Sequence, residues 1–198
     1  MAPPPRGCDG VNTPSLACCV SKHLIKRWLN HRYAKSTMNN TRHTRPQILA
    51  LIGWLALCFS AAGTGAFVSI GGWYDTLNKP SWNPPSWIFG PVWSLLYIMM
   101  AVAAWLVWKK GGWAAQRKAL SLFVAQLLLN ALWTPLFFAL HKPGLAFIEI
   151  VILWIMVVAT IREFKHVHQT AARLLMPYLA WITFAAVLNF AIWRLNSV

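Results

Sequence analysis

The 198-residue chain is 58% hydrophobic and only 11% charged, yet carries 18 Lys and Arg against 4 Asp and Glu, a formal net charge of +14. This balance excludes an ordinary water-soluble domain, because so much apolar side chain needs lipid as its solvent. It also argues against nucleic acid as partner, since the basic residues flank apolar runs instead of covering a polar domain.

Residues 1–46 hold eight cations (Arg6, Lys22, Lys26, Arg27, Arg32, Lys35, Arg42, Arg45) against Asp9 alone, among Pro, Ser, Thr and Asn that supply no core. They are predicted to form a basic, largely disordered extension. In VSKHLIKRWLNHRYAK, Val20, Leu24, Ile25, Trp28 and Leu29 fall on one helical stripe, with Lys22, Lys26, Arg27 and Arg32 away from its centre. The stretch therefore reads as a basic amphipathic helix for the membrane surface. An Arg-rich, acid-poor amphipathic N-terminus also describes an organelle transit segment, and it lacks the apolar core of a secretory signal. A mitochondrial membrane is the favoured address, with the ER and Golgi as the alternative.

From residue 47 to 198 the pattern predicts one all-α domain, a bundle of five membrane-crossing helices. The expected spans are Ile48–Ile70, Trp87–Trp108, Ala119–Leu140, Pro143–Ile161 and Leu174–Trp193. Nothing charged lies between Lys79 and Lys109, Pro91 sits early in the second span where its missing N–H is harmless, and Pro135 is expected to bend the third near its end. Between the first two spans, GWYDTLNKPSWNPPSWIFGPVW carries Trp73, Trp82, Trp87 and Trp93 among Pro80, Pro84, Pro85 and Pro91. Prolines remove donors and fix φ, so this connector is stiff and irregular, and its indoles must bury themselves at the membrane interface or over a cavity. The spans show no internal repeat, which counts against a rocking transporter.

Five spans place the N-terminal extension, the second loop (Lys109, Lys110, Arg117, Lys118) and the fourth loop (Arg162, Lys165, Arg173) on one side. Only Lys79, Lys142 and Arg194 fall on the other, a clear charge asymmetry. The sparsely charged side then holds the tryptophan-rich loop, the third loop and the C-terminus. Glu149 lies about 9 Å below that face at helical rise. Asn189, Trp93 and Trp133 lie at similar depth, with Asn130 about one turn deeper. An intramembrane acid is a functional candidate by default, its plain alternative being a hydrogen-bonded carboxyl that helps helices pack. Asn130 and Asn189 either bridge helices or donate to a ligand. Trp105, Trp108, Trp113 and Trp193 suit an interfacial belt, whereas Trp93, Trp133 and Trp181 sit inside spans and suit a flat apolar ligand.

No catalytic constellation competes with this reading. The histidines (His23, His31, His43, His141, His166, His168) are scattered, and Cys8, Cys18, Cys19 and Cys58 show no metal spacing. Neither a nucleotide-binding glycine motif nor a nucleophile elbow is present.

The run WYxxLxKPxWxPPxWxFxxVWxxLY from Trp73 to Tyr97, then NALWTPLFF (Asn130–Phe138) and PYLAWxxFAxxLNxxIWRLN (Pro177–Asn196), resembles the translocator protein or tryptophan-rich sensory protein (TspO/MBR) family. The resemblance covers about Gln47–Asn196, and the long basic extension looks plant-type. It implies a five-helix bundle, often a homodimer, that binds porphyrins, haem, sterols and benzodiazepine-type drugs beneath the first loop. Carried over by motif position, the ligand-binding residues are Trp73, Trp87, Trp93, Trp133, Trp181 and Asn189, with Asn130 and Ala185 nearby. The chain departs from the family's sterol pattern by having Phe190, where a tyrosine is expected, before Arg194, and Ala131 stands where animal members carry tryptophan. No resident cofactor or metal is expected; protoporphyrin IX or haem is the expected ligand. The function read from the sequence is a binding protein for tetrapyrroles and related hydrophobic molecules, acting in sensing, sequestration or transport. The alternative is a light-dependent porphyrin-degrading enzyme that uses the pocket tryptophans.

Overall fold

The computed structural model describes residues 47–63 and 72–197; the predicted amphipathic helix, the transit segment and three of the cysteines lie outside the described residues. Residues 48–198 form one compact unit. The regular elements described are all helical: α1 (Gln47–Ala62), α2 (Trp73–Thr76), α3 (Phe89–Trp108), α4 (Gly112–Ala115), α5 (Arg117–Thr134), α6 (Pro143–Val167), α7 (Gln169–Leu174) and α8 (Met176–Leu195).

Four helical stretches, Ser86–Trp108, Arg117–Ala139, Pro143–Val167 and Gln169–Leu195, are long and apolar enough to cross a membrane. Where the sequence predicts a fifth at Ile48–Ile70, the described residues contain the shorter apolar helix α1. Its rise is about 24 Å, short of the ~30 Å hydrocarbon layer. The expected end of that span lies outside the described residues.

Three boundaries differ from expectation for local reasons. The fourth span runs on to Val167, where His168 turns extended (φ −155°, ψ 106°) and its Nδ1 accepts from the Ala171 N–H at 3.4 Å, capping α7. The last span is two helices joined at Leu175, and Pro177 sits in the first turn of α8, where it breaks no hydrogen bond. Pro135 widens the end of the third span into a π turn over Pro135–Ala139, closed by the Leu140 N–H donating to the Pro135 carbonyl at 2.9 Å. That turn puts Phe137 into the interior.

Packing pairs α5 with α6, α6 with α8 and α3 with α7. Ala101, Ala103 and Ala104 are fully buried on α3 and let neighbours approach closely. α1 joins through Trp54, edge-on to Phe123, and Phe59, tilted against Tyr97. Met100, Leu120, Phe123, Phe164 and Tyr178 fill the interior. Ile148, Ile152, Ile155 and Val187 stand exposed on the outer faces of α6 and α8. Helices apolar on the outside as well as the inside are suited to lipid.

The two ends of the unit differ. At one, the Asn196 side chain exchanges hydrogen bonds with the Asn78 backbone and Trp73 stacks on His141, which gathers the first loop, the third loop and the end of α8 as the charge pattern required. At the other, Lys118 Nζ meets Glu163 Oε1 at 2.6 Å between the basic ends of α5 and α6. The lysine side chain there is 75% exposed, so this pair adds little to stability.

Candidate functional site

The tryptophan-rich loop is shaped by a few local devices. Gly72, at φ 73°, turns the chain into α2 in a region that disfavours other residues. The Tyr74 hydroxyl donates to Asn83 Oδ1 at 3.1 Å, and Lys79 Nζ stands 4.6 Å above the Tyr74 ring. Burial pushes the Tyr74 hydroxyl above its ordinary value, a shift the Asn83 hydrogen bond partly offsets.

Under this loop lie two connected aromatic groups. In the first, Trp133 stacks on Phe137 (5.2 Å, 22°) and meets Phe138 edge-on (5.9 Å). Tyr74 packs on Phe138 at 5.6 Å, and Trp73 meets Phe137 at 5.8 Å while stacking on His141 at 4.3 Å. His141 adopts φ 53°, a strained value for a residue with a side chain, and the stack helps hold it there. In the second group, Trp93 stacks on Tyr97 at 5.5 Å and lies perpendicular to Trp181 at 6.5 Å. Trp181 continues to Phe89 (5.8 Å) and Phe184 (5.5 Å), and Phe184 meets Trp82 from the loop at 6.0 Å. The groups meet over Phe137, Ala146, Leu188 and Ile192, against which Trp73, Trp133, Phe89 and Phe184 all pack.

Two buried amides order these rings. Asn189, 2% exposed on α8, accepts from the Trp133 indole at 3.3 Å and donates to the Pro143 carbonyl at 2.8 Å, linking α5, α8 and the start of α6. Asn130 accepts from the Tyr97 hydroxyl at 2.6 Å and so joins α5 to α3. Each amide fixes an aromatic side chain beside the apolar cluster, and the indole faces suit a flat, largely apolar molecule.

Of the residues proposed from sequence, the structure brings Trp73, Trp93, Trp133, Trp181, Asn130 and Asn189 to this end of the unit. Ala185 packs half-buried against the larger core on α8. Trp87 does not join them: it lies on the 3-10 turn Ser86–Ile88 and is 73% exposed, since the extended Pro85 aims that turn outward. Glu149 is buried on α6 with neither carboxyl oxygen hydrogen-bonded among the described residues. Sequence reasoning passed over Tyr74, Phe89, Phe137, Phe138, His141, Phe184 and Asn196. All of these but His141 stand in the three quoted motif runs and were readable there; His141 carries no local signal. Among the described residues no three His, Cys, Asp or Glu come together to hold a metal ion.

Comparison with known proteins matches residues 48–194 to the model of the TspO/MBR family. The chain is similar to Protein CrtK of Rhodobacter capsulatus, 41% identical over 147 residues that cover 72% of this chain and 90% of the relative. It is similar also to the tryptophan-rich protein TspO of Chlorobaculum tepidum, 41% identical over 157 residues, 76% of this chain and 98% of the relative. The human translocator protein is 42% identical over 126 residues, 63% of this chain and 75% of the relative.

Proposed function

The chain belongs to the TspO/MBR family and is a multi-pass membrane protein, and from that premise we propose that it binds porphyrin, haem and related hydrophobic ligands in the aromatic site beneath residues 72–88. The observation that carries this reading is the gathering of Trp73, Trp93, Trp133 and Trp181, from four separate elements, against two apolar clusters that Trp133 bridges, with two buried amides beside them. Sterols and benzodiazepine-type drugs belong to the same ligand class, and the role is tetrapyrrole sensing, sequestration or transport. The reading includes a five-span bundle and a homodimer in a mitochondrial membrane.

Protoporphyrin titrations of the full chain in nanodiscs test it. Stacking and apolar burial should supply most of the affinity, so Trp133→Ala or Trp181→Ala should weaken binding at least about tenfold. Trp113→Ala, 44% exposed and away from the site, should leave it unchanged. Equal affinities in all three variants would sink the assignment.

A light-dependent degrading activity is the second reading, favoured by the contiguous Tyr97, Trp93 and Trp181 rings, which could relay an electron to or from an excited porphyrin. Illumination of the bound complex decides it: a defined product with wild type and none with the Trp93→Phe/Trp133→Phe double variant would replace the carrier by a catalyst. The carrier reading expects little product beyond a detergent control.

A further inference from the structure

Below the aromatic site, the interior holds polar side chains whose hydrogen bonds do not close. Tyr178 on α8 is fully buried and donates its hydroxyl to Gln126 Oε1 on α5 at 3.0 Å. Gln126 is 1% and Glu149 6% exposed, yet Gln126 Nε2 and both carboxyl oxygens of Glu149 are shut from solvent without a partner among the described residues. A buried acceptor left unmade forfeits its hydration with no return, and an ionised carboxyl loses far more than a neutral amide does. No Lys, Arg or His lies within ion-pairing distance of Glu149 among the described residues.

Position connects this acid to the ligand site. Glu149 follows Ala146 by three residues, so the two share one face of α6, and Ala146 belongs to the cluster that Trp73, Trp133, Phe89 and Phe184 cover. Helical side chains lean toward their own N-terminus, which for α6 is the end under the tryptophan-rich loop. The carboxyl therefore falls one turn below Ala146 on the face of α6 that meets the aromatic site, and its oxygens have no partner among the described residues.

We propose that Glu149 is an acceptor subsite for an N–H or O–H donor carried by the bound hydrophobic ligand. The inference rests on the ligand-binding reading above and narrows it: molecules of equal shape are sorted by whether they bring a donor to this carboxyl. A trapped water offers the same O–H chemistry and is the competing source.

The test compares free-base protoporphyrin, which has pyrrole N–H groups, with its nickel(II) complex, which keeps the outline and carboxylates but lacks those hydrogens. Both are titrated against the full chain in nanodiscs by tryptophan quenching. Wild type should prefer the free base by about tenfold, equivalent to ~1.4 kcal/mol. Glu149→Leu should abolish the preference while holding the nickel complex within about threefold of its wild-type affinity. Glu149→Gln, nearly the same size and still an acceptor, should retain part of the preference; should the leucine variant not fold, the ratio in the glutamine variant must fall below wild type. A preference that survives unchanged in the variants overturns the subsite. So does equal wild-type affinity for the two porphyrins, and if Glu149→Leu then also lowers the Tm of the ligand-free protein, the donor is water. Failure of wild type to bind either porphyrin overturns the ligand-binding reading and the subsite with it.

Discussion

Removing the Asn196 side chain should release the tryptophan-rich loop without unfolding the bundle. Asn196 Oδ1 accepts from the Asn78 N–H and its Nδ2 donates to the Asn78 carbonyl, both at 2.9 Å, while a further bond to the Ile192 carbonyl (2.8 Å) aims the amide. A hydrogen bond contributes about 0.5–1.5 kcal/mol net, and the solvent-exposed setting of this pair favours the lower half, so Asn196→Ala should cost the docked loop about 1–2 kcal/mol. That makes transient opening roughly 5–30 times more frequent. The Trp73–His141 stack and the Tyr74–Phe138 contact remain, so the loop should still dock for most of the time. Hydrogen–deuterium exchange of the loop amides in nanodiscs reads the change directly, because local opening sets their protection. Exchange at Asn78 should accelerate by the same factor while the buried helix interiors keep their rates. Asn196→Asp, which keeps the acceptor and loses the donor, should fall between wild type and alanine. Unchanged protection at Asn78 in the alanine variant would show that the aromatic contacts alone hold the loop.

The Trp133–Asn189 pair should behave as one unit: Trp133→Phe removes the indole donor, Asn189→Ala strands both the indole and the Pro143 carbonyl, and thermal unfolding of the double variant should show a coupling of about 0.5–2 kcal/mol. Additive single effects would mean the 3.3 Å contact contributes nothing. Gly144 faces Trp193 so closely that an added Cβ would stand 3.0 Å from the indole Nε1. Gly144→Ala should therefore destabilise the protein by about 1–3 kcal/mol in denaturant titrations, and Trp193→Phe should recover part of that loss. Deleting residues 1–46 should leave porphyrin affinity intact and change which membrane the protein reaches, as seen by microscopy; unchanged localisation would refute the targeting role.

Much of the architecture was legible in the chain. An uncharged stretch between Lys79 and Lys109, with Pro91 in a first turn, predicted α3 almost to the residue, and the same reasoning located α5, α6 and α8. Lysine and arginine placement sorted the loops into two ends, and the contacts at Asn196 and His141 agree with that sorting. Proline chemistry told where the third span would be disturbed, though a π turn and not a simple bend was the outcome.

What sequence left undecided has a single physical origin: lipid and protein interior are both apolar, so hydrophobicity does not record which face of a spanning helix turns inward. Trp133 and Trp154 look alike as indoles inside apolar runs, yet Trp133 enters the site, whereas Trp154 is 38% exposed and donates to Thr183 on the outer surface. Trp87 belongs to the same motif as Trp73 and Trp93 and points away from them. Glu149 was visible as a lone acid, but that no described residue reaches its oxygens is a property of helix rotation and depth. The pairing of Asn78 with Asn196 and of Trp73 with His141 joins residues far apart in the chain, through orientations that no local preference encodes. The sequence determined which residues must lie in the membrane, and close packing of one helix against another decided which of them face a ligand.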